Sequence, residues 1–375
     1  MPKHLVLVGG GHAHLTCLKN VPEFVARGHQ VTLVGPSSHH YYSGMGPGML
    51  GQTYRPQEIR FNIQKMAEKG GARFQPGMVA LIKPAEKVLV LTSGEELPYD
   101  VVSFNTGSGI PTGNLPIAPD ARVFTVKPIE QLLRAQEHIK ARLTKKTHHI
   151  LIAGGGPAGL EITGNLWRLA ANLGGQARFT LVAGRRLMGD FPDKVRTLAL
   201  KSLTGRGVEV IEGTRLVEVR ANLAVLKDGR MLPFDMLFLA LGVRPSPLFA
   251  QSGLPTGPDG GLLVNEFLQS VAYPEIFGGG DCIHFQPQPL DKVGVYAVRQ
   301  NPILLHNLQA ALEGRALRRF RPGGTYLLIF NLGNDRAIFR KQKLVFDGRP
   351  AFWLKDYIDR RFMRSFQISG ELTEA

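Results

Sequence analysis

The sequence predicts an α/β chain: two doubly wound parallel-sheet units followed by a small C-terminal α+β unit. Three observations predict it. The 375 residues exceed one ordinary domain and suit two or three. Runs of strand length rich in β-branched residues alternate with helical stretches, the pattern of parallel strands joined by crossover helices. Finally, the chain repeats itself, carrying twice the same order of strand, glycine turn, helix, meander and glycine-ended strand.

The first copy opens with Leu5-Val6-Leu7-Val8-Gly9-Gly10-Gly11, continues as a helical stretch to Arg27 and a strand at 30–34, and closes with Leu97-Pro98-Tyr99-Asp100 before an apolar strand at 101–107. The second opens with Ile150-Leu151-Ile152-Ala153-Gly154-Gly155-Gly156, has a helix to Leu173 and a strand at 178–182, and closes with Leu232-Pro233-Phe234-Asp235 before 236–242. Between them, residues 120–146 read as a connector with a helix that starts after Pro128 and ends in a basic turn at Lys146. After Val243 the chain becomes rich in Pro and Gly up to Gly261, which suits a crossing back to the first unit. The expected division is 1–115 with 252–321, then 116–251, then 322–375.

Beyond Pro322, stretches 326–330, 337–340 and 343–346 suggest a small antiparallel sheet with turns at Gly333-Asn334 and Lys341-Gln342. A last helix is expected over 352–366, with the stripe Leu354, Ile358 and Phe362 flanked by Trp353 and Tyr357, and cations at Arg360, Arg361 and Arg364. Such a helix either lies on a membrane surface or docks onto the body or a second copy in a homodimer.

Glycine turns placed directly after a strand and opening a helix carry the clearest chemistry. Gly154, Gly156, Pro157, Ala158 and Gly159 belong to a G-x-G-x-x-G run, where bare backbone turns tightly and presents unpaired amides to a diphosphate at a helix start. In the first copy, Gly9 and Gly11 keep this pattern, but His14 replaces the third glycine, so helix and strand pack less closely there. His12 and His14 read as structural turn residues rather than catalytic ones. Neither second strand ends in the carboxylate that would accept from an adenosine ribose. In the second copy Arg185 and Arg186 follow instead; they suit a 2′-phosphate, hence NADPH over NADH, or are solvated surface cations. At Gly278-Gly279-Gly280-Asp281 an acid ends a glycine-rich strand, where it can accept from a cofactor hydroxyl. A helical run then starts at Ala297-Val298-Arg299-Gln300, with amides suited to negative charge on a bound cofactor, and Pro302 is expected in its first turn.

A formal charge of +15 favours anionic partners, and with no Arg-rich tail or nucleic-acid motif a lipid surface outranks nucleic acid. No secretory signal fits the opening residues, and no apolar run approaches the roughly 20 residues of a spanning helix. Two distant cysteines, Cys17 and Cys282, suggest neither a disulfide framework nor a metal site. A cytoplasmic setting is expected, at the inner face of the membrane if the last helix binds there.

These residues resemble the FAD- and pyridine-nucleotide-dependent family that includes glutathione reductase, and within it the type II NADH dehydrogenase and sulfide:quinone reductase branch. The shared landmarks are Gly9 to Gly11, Thr106-Gly107-Ser108, Gly154 to Gly159 followed by Glu161, Leu241-Gly242 and Gly280-Asp281. The stretch Gly9-Gly10-Gly11-His12-Ala13-His14 and the loop Tyr42-Ser43-Gly44-Met45-Gly46-Pro47-Gly48 are similar, more narrowly, to flavoproteins often fused to selenophosphate synthetase; no synthetase domain is found in these residues. The resemblance implies two Rossmann-like domains, with Gly9, Gly11, His12, Ala13, Thr106, Gly107, Gly280 and Asp281 at FAD and Ser43, Gly44 and Met45 near its ring. It implies that Gly242 and the second turn meet NAD(P)H, that Glu161 sits beside the nicotinamide unless it only pairs locally, and that Ala297 and Gln300 line a quinone pocket. Both the paired dithiol of glutathione reductase and the cysteine set of sulfide oxidisers are missing, and Cys17 and Cys282 read as packing residues.

The expected function is hydride transfer from NAD(P)H to FAD, then passage of two electrons to a quinone-like acceptor. One alternative replaces the quinone by a small electron-carrier protein; another, of a different class, is a nucleotide-binding redox sensor or scaffold.

Overall fold

Two five-stranded parallel sheets form the frame of this computed structural model, which describes residues 1–143 and 147–374. In the first sheet the order is Ile276–Gly278, Val101–Phe104, His4–Val8, Gln30–Gly35 and Arg73–Pro76. The second reads Val123–Thr125, Met236–Leu239, His148–Ala153, Ala177–Val182 and Glu209–Ile211. The repeat extends to register: Leu5 pairs Val31 and Val101 in the first sheet, as Ile150 pairs Phe179 and Met236 in the second. Each half also inserts a three-stranded antiparallel meander, Val79–Lys83 to Glu96–Pro98 and Leu216–Val219 to Met231–Pro233. The strands at the centre of the two sheets are buried except at His4 and His149, as expected of parallel strands covered on both faces.

Several sequence expectations need correction. The helical stretch to Arg27 is two short helices, Leu15–Lys19 and Val21–Ala26, because Pro22 fits only the first turn of a new helix. The connector adds the strand Val123–Thr125 to the second sheet before its helix Glu130–Arg142; three residues are too few for a periodic signal. The basic turn expected at Lys146 lies outside the described residues. The helix around Ala297 runs Gly294–Glu313 and holds Pro302 in its interior, not its first turn; the buried Leu304, Leu308 and Leu312 keep the segment packed beyond it.

At the C-terminal end, Leu328–Asn331, Ala337–Lys341 and Leu344–Gly348 pair antiparallel, with positive φ at Gly333, Asn334, Asp335 and Gln342 in the turns. The last helix runs Arg349–Phe366, starting earlier than expected because Pro350 is tolerated in a first turn. Its apolar row is largely uncovered. Trp353 and Tyr357 are 62% and 61% exposed, Leu354 and Ile358 are exposed beside them, and the row facing the body is Phe352, Lys355, Asp359 and Met363.

Candidate functional site

The first glycine turn is built against Asn105. A side chain on Gly9, whose φ is 86°, would collide with the Asn105 carbonyl, and one on Gly11 with the Asn105 amide group. Asn105 Oδ1 accepts from the Ala13 amide at 3.1 Å, and its Nδ2 donates to the Gly279 carbonyl at 2.6 Å. One buried residue thus knits the turn to the glycines before Asp281. His14, in place of the third glycine, bridges the Gly9 carbonyl at 2.6 Å and Ser103 Oγ at 2.8 Å. Burial lowers its pKa to about 4, so it stands neutral, and its role is structural. His12 does more than turn the chain: it lines the cavity described below, Nδ1 lies 3.3 Å from His40 Nε2, and its buried Nε2 has no partner among the described residues.

The second turn is closed at three glycines and open at one. Side chains on Gly154, Gly155 and Gly159 would strike the backbone of Ala240, Ala183 and Gly154, whereas Gly156 faces free space. Pro157 opens the helix Pro157–Asn172, and Ala158 is exposed. Gly107 and Gly242 follow corresponding strands of the two halves, with φ of 69° and 82°, and both border open space. Arg186 pairs with Asp193 at 2.5 Å, while Arg185 is exposed.

A cavity of about 930 Å³ joins the halves. Gly9, Gly11, His12, Ser43, Gly44, Thr106, Gly107, Gly280, Asp281 and Ala297 line it from the first half, Pro157 and Glu161 from the second, and Lys355 from the last helix. Ala13 and Met45 are buried behind its wall. Asp281 accepts from Ser108 Oγ at 2.8 Å and Lys127 Nζ at 2.7 Å; burial raises its pKa, but the Lys127 charge and these bonds prevail and leave it below the ordinary carboxylate value. The helix beginning at Gly294 turns its N-terminus to the cavity through Val293 and Gly294, favouring negative charge there. Gln300 is not on the main wall: it is buried, and its Oε1 accepts from the Gly280 amide at 2.7 Å.

Three chain segments meet at the other end. Glu161 Oε1 accepts from the Asn331 amide at 2.7 Å, and burial, opposed by the Lys355 charge, raises its pKa to about 7. Lys355 donates to the Gly44 carbonyl at 2.8 Å and to Asp359 at 2.7 Å, and Tyr42 donates to Asp359 at 3.0 Å. Burial works against the Lys355 charge, but Asp359 and Glu161 more than offset it, so its pKa is raised. Sequence reasoning missed Asn105, Lys127, Lys355 and Asp359. Only the last pair carried a signal, an i, i+4 lysine and aspartate on the helix. The cysteines are both buried and free, and burial pushes the Cys17 thiol up to about 12.

Such an arrangement, two matched nucleotide folds facing one cavity, defines a two-nucleotide redox flavoprotein. The chain belongs to the pyridine nucleotide-disulphide oxidoreductase family, whose profile matches residues 3–303. It is 25% identical over 402 residues to the type II NADH:quinone oxidoreductase of Haemophilus influenzae, covering 93% of this chain and 90% of that one. With the mitochondrial internal alternative NAD(P)H-ubiquinone oxidoreductase A1 of Arabidopsis thaliana it shares 29% identity over 146 residues, 37% of this chain but only 28% of that protein. In structure it is similar to NDH2 from Plasmodium falciparum, solved in complex with NADH: TM-score 0.81, 14% identity, 100% of this chain and 99% of that one covered.

FAD with NAD(P)H as substrate goes with this family. The residues present fit both groups: the cavity is of dinucleotide size, open space borders Gly107 and Gly156 where backbone must approach a ligand, and His12 Nε2 is left unpaired at the wall.

Proposed function

We propose that this chain is an NAD(P)H:quinone-type oxidoreductase working without a catalytic disulfide. Residues 1–115 and 252–321 hold FAD, residues 116–251 take the nicotinamide nucleotide, and residues 322–375 cover the junction. The single observation that carries this reading is the continuous cavity from the Gly9–Gly11 turn to Glu161. Bound there, the flavin supplies the chemistry of accepting a hydride and releasing electrons.

The chain's own groups position and screen. The Gly9, Gly11 and His12 backbone faces one diphosphate, with Ala13 anchored behind it on Asn105, and the Gly154–Gly159 turn faces the other. Asp281, held ionised by Lys127, is an acceptor for polyol hydroxyls. Lys355 and the helix start at Gly294 place positive potential on the wall where reduction adds negative charge. Glu161, with its pKa near 7, can hold or release on Oε2 the proton that quinone reduction requires. Ala297 belongs to the cavity wall; Gln300 acts by fixing the Gly280 amide. With two buried, separate thiols, no dithiol takes part.

The exposed row Trp353, Leu354, Tyr357 and Ile358, with Arg361 and Arg364 exposed nearby, suits an anionic bilayer surface as the source of a lipophilic acceptor. Among the described residues no helix is long and apolar enough to cross a membrane. Stopped-flow mixing tests the reading: NAD(P)H should bleach the flavin anaerobically, and a short-chain quinone should restore its colour within seconds. A reduced state that persists in the presence of quinone would overturn it.

A further inference from the structure

We infer that the second half selects NADPH through a 2′-phosphate subsite centred on Arg185, with Arg186 in a lesser role. The inference rests on the reading above that this half takes a nicotinamide nucleotide.

In folds of this kind the adenosine ribose lies at the end of the second strand, where an acid accepts from its 2′-hydroxyl. Here that strand is Ala177–Val182, and the buried Ala183 follows it. The carboxylate that ends the neighbouring strand is committed elsewhere: Glu212 accepts from the Leu187 amide at 2.6 Å and from Arg196 at 2.7 Å. Among the described residues, no acid directly follows the strand Ala177–Val182 to accept from a ribose hydroxyl or to repel a phosphate there.

The loop carrying the two arginines is fixed by its backbone. Gly184 bridges Thr214, the Arg185 carbonyl accepts from the Gly213 amide at 3.3 Å, and the Met188 amide donates to Gly155 of the glycine turn at 2.6 Å. The side chains at 185 and 186 consequently start from a platform tied to the diphosphate turn itself. They differ in what already holds them. Arg186 donates to Asp193, so a phosphate drawn to it would meet that carboxylate as well. The Arg185 side chain is exposed and has no hydrogen bond or ion pair among the described residues. Its five donors are free for bidentate binding of a phosphate monoester, a charged group that NADH lacks. Binding is the whole of the proposed event; no bond is made or broken.

Calorimetry on the flavin-loaded protein with adenosine 2′,5′-bisphosphate and with 5′-AMP tests this directly. The bisphosphate should bind at least tenfold tighter, Arg185→Ala should reduce that advantage at least tenfold, Arg185→Lys should restore part of it, and Arg186→Ala should lose less than Arg185→Ala. In anaerobic bleaching, the ratio of NADPH to NADH rates should fall in the same order. Equal affinity of the wild type for the two probes, or a larger loss from Arg186→Ala, overturns the subsite. Arg185-dependent probe binding without bleaching by either nucleotide would leave the subsite standing and remove the function proposed above. Retained flavin absorbance in each variant verifies that it is folded.

Discussion

The two glycine turns descend from one pattern yet are finished differently. Around Gly9–His14 every residue from Gly10 onward is buried, and side chains from elsewhere, Asn105 and His14, complete the turn. Around Gly154–Gly159 the backbone closes on itself, with Gly159 packed against Gly154, while Gly156 and Ala158 remain accessible. On the assignment proposed above, the walled turn keeps a resident cofactor and the open one lets its nucleotide come and go.

Paired substitutions can break that contrast. Gly9→Val should yield protein without flavin, whereas Gly154→Val should stay yellow and bleach with NADPH at least ~100-fold more slowly, since each side chain strikes backbone that cannot retreat. Absorbance of the purified proteins and stopped-flow bleaching measure the two; identical flavin loss in both would erase the distinction.

A second pair separates buttressed from open backbone. Asn105→Ala leaves the Ala13 amide unpaired and the Gly279 carbonyl with only the weak Cys282 thiol donor, and should lower unfolding stability by about 2–4 kcal/mol in urea titrations. Gly156→Ala, facing open space, should change stability by less than about 1 kcal/mol yet weaken nucleotide binding roughly tenfold.

Glu161 belongs to the open half, and its pKa sharpens the comparison by pH. Burial raises it from 4.5 to about 7, so folding favours the protonated acid. The associated stability is fully present below pH 4.5 and is lost as pH rises through about 7. Glu161→Gln should remove this slope, so that the melting temperature of the wild type falls relative to the variant across roughly pH 5 to 8. A parallel pair of curves would show that the carboxyl is not buried as described. The smallest effect is expected at Cys17, in the walled half: Cys17→Ala should shift bleaching rates by less than about twofold, and reductive titration should take up two electrons per flavin, with no extra pair for a dithiol.

Much of the fold was legible because the Rossmann pattern is local: Val-rich strands, glycine turns and helices follow one another within short stretches, twice. The cavity's polar groups were not, because Asn105, Lys127 and Lys355 come from a strand end, a connector and the last helix, and no spacing along the chain tells which of them meet. The last helix was legible only in part. Its apolar row Leu354, Ile358 and Phe362 could be read but not which row faces the body, because the buried row contains Lys355 and Asp359, and charges enter an interior only with partners that one sequence does not identify.

The crossing of the chain also sets an order of events on the ribosome. All strands of the second sheet lie between Val123 and Leu239, so that sheet can close while Ile276–Gly278, the edge of the first, is still untranslated. Until that strand arrives, Val102 and Phe104 present an unpaired edge, and Asn105 lacks the Gly279 carbonyl that fixes it. The half that begins synthesis first is completed last, so on the assignment proposed above flavin capture is a late step in the birth of this protein.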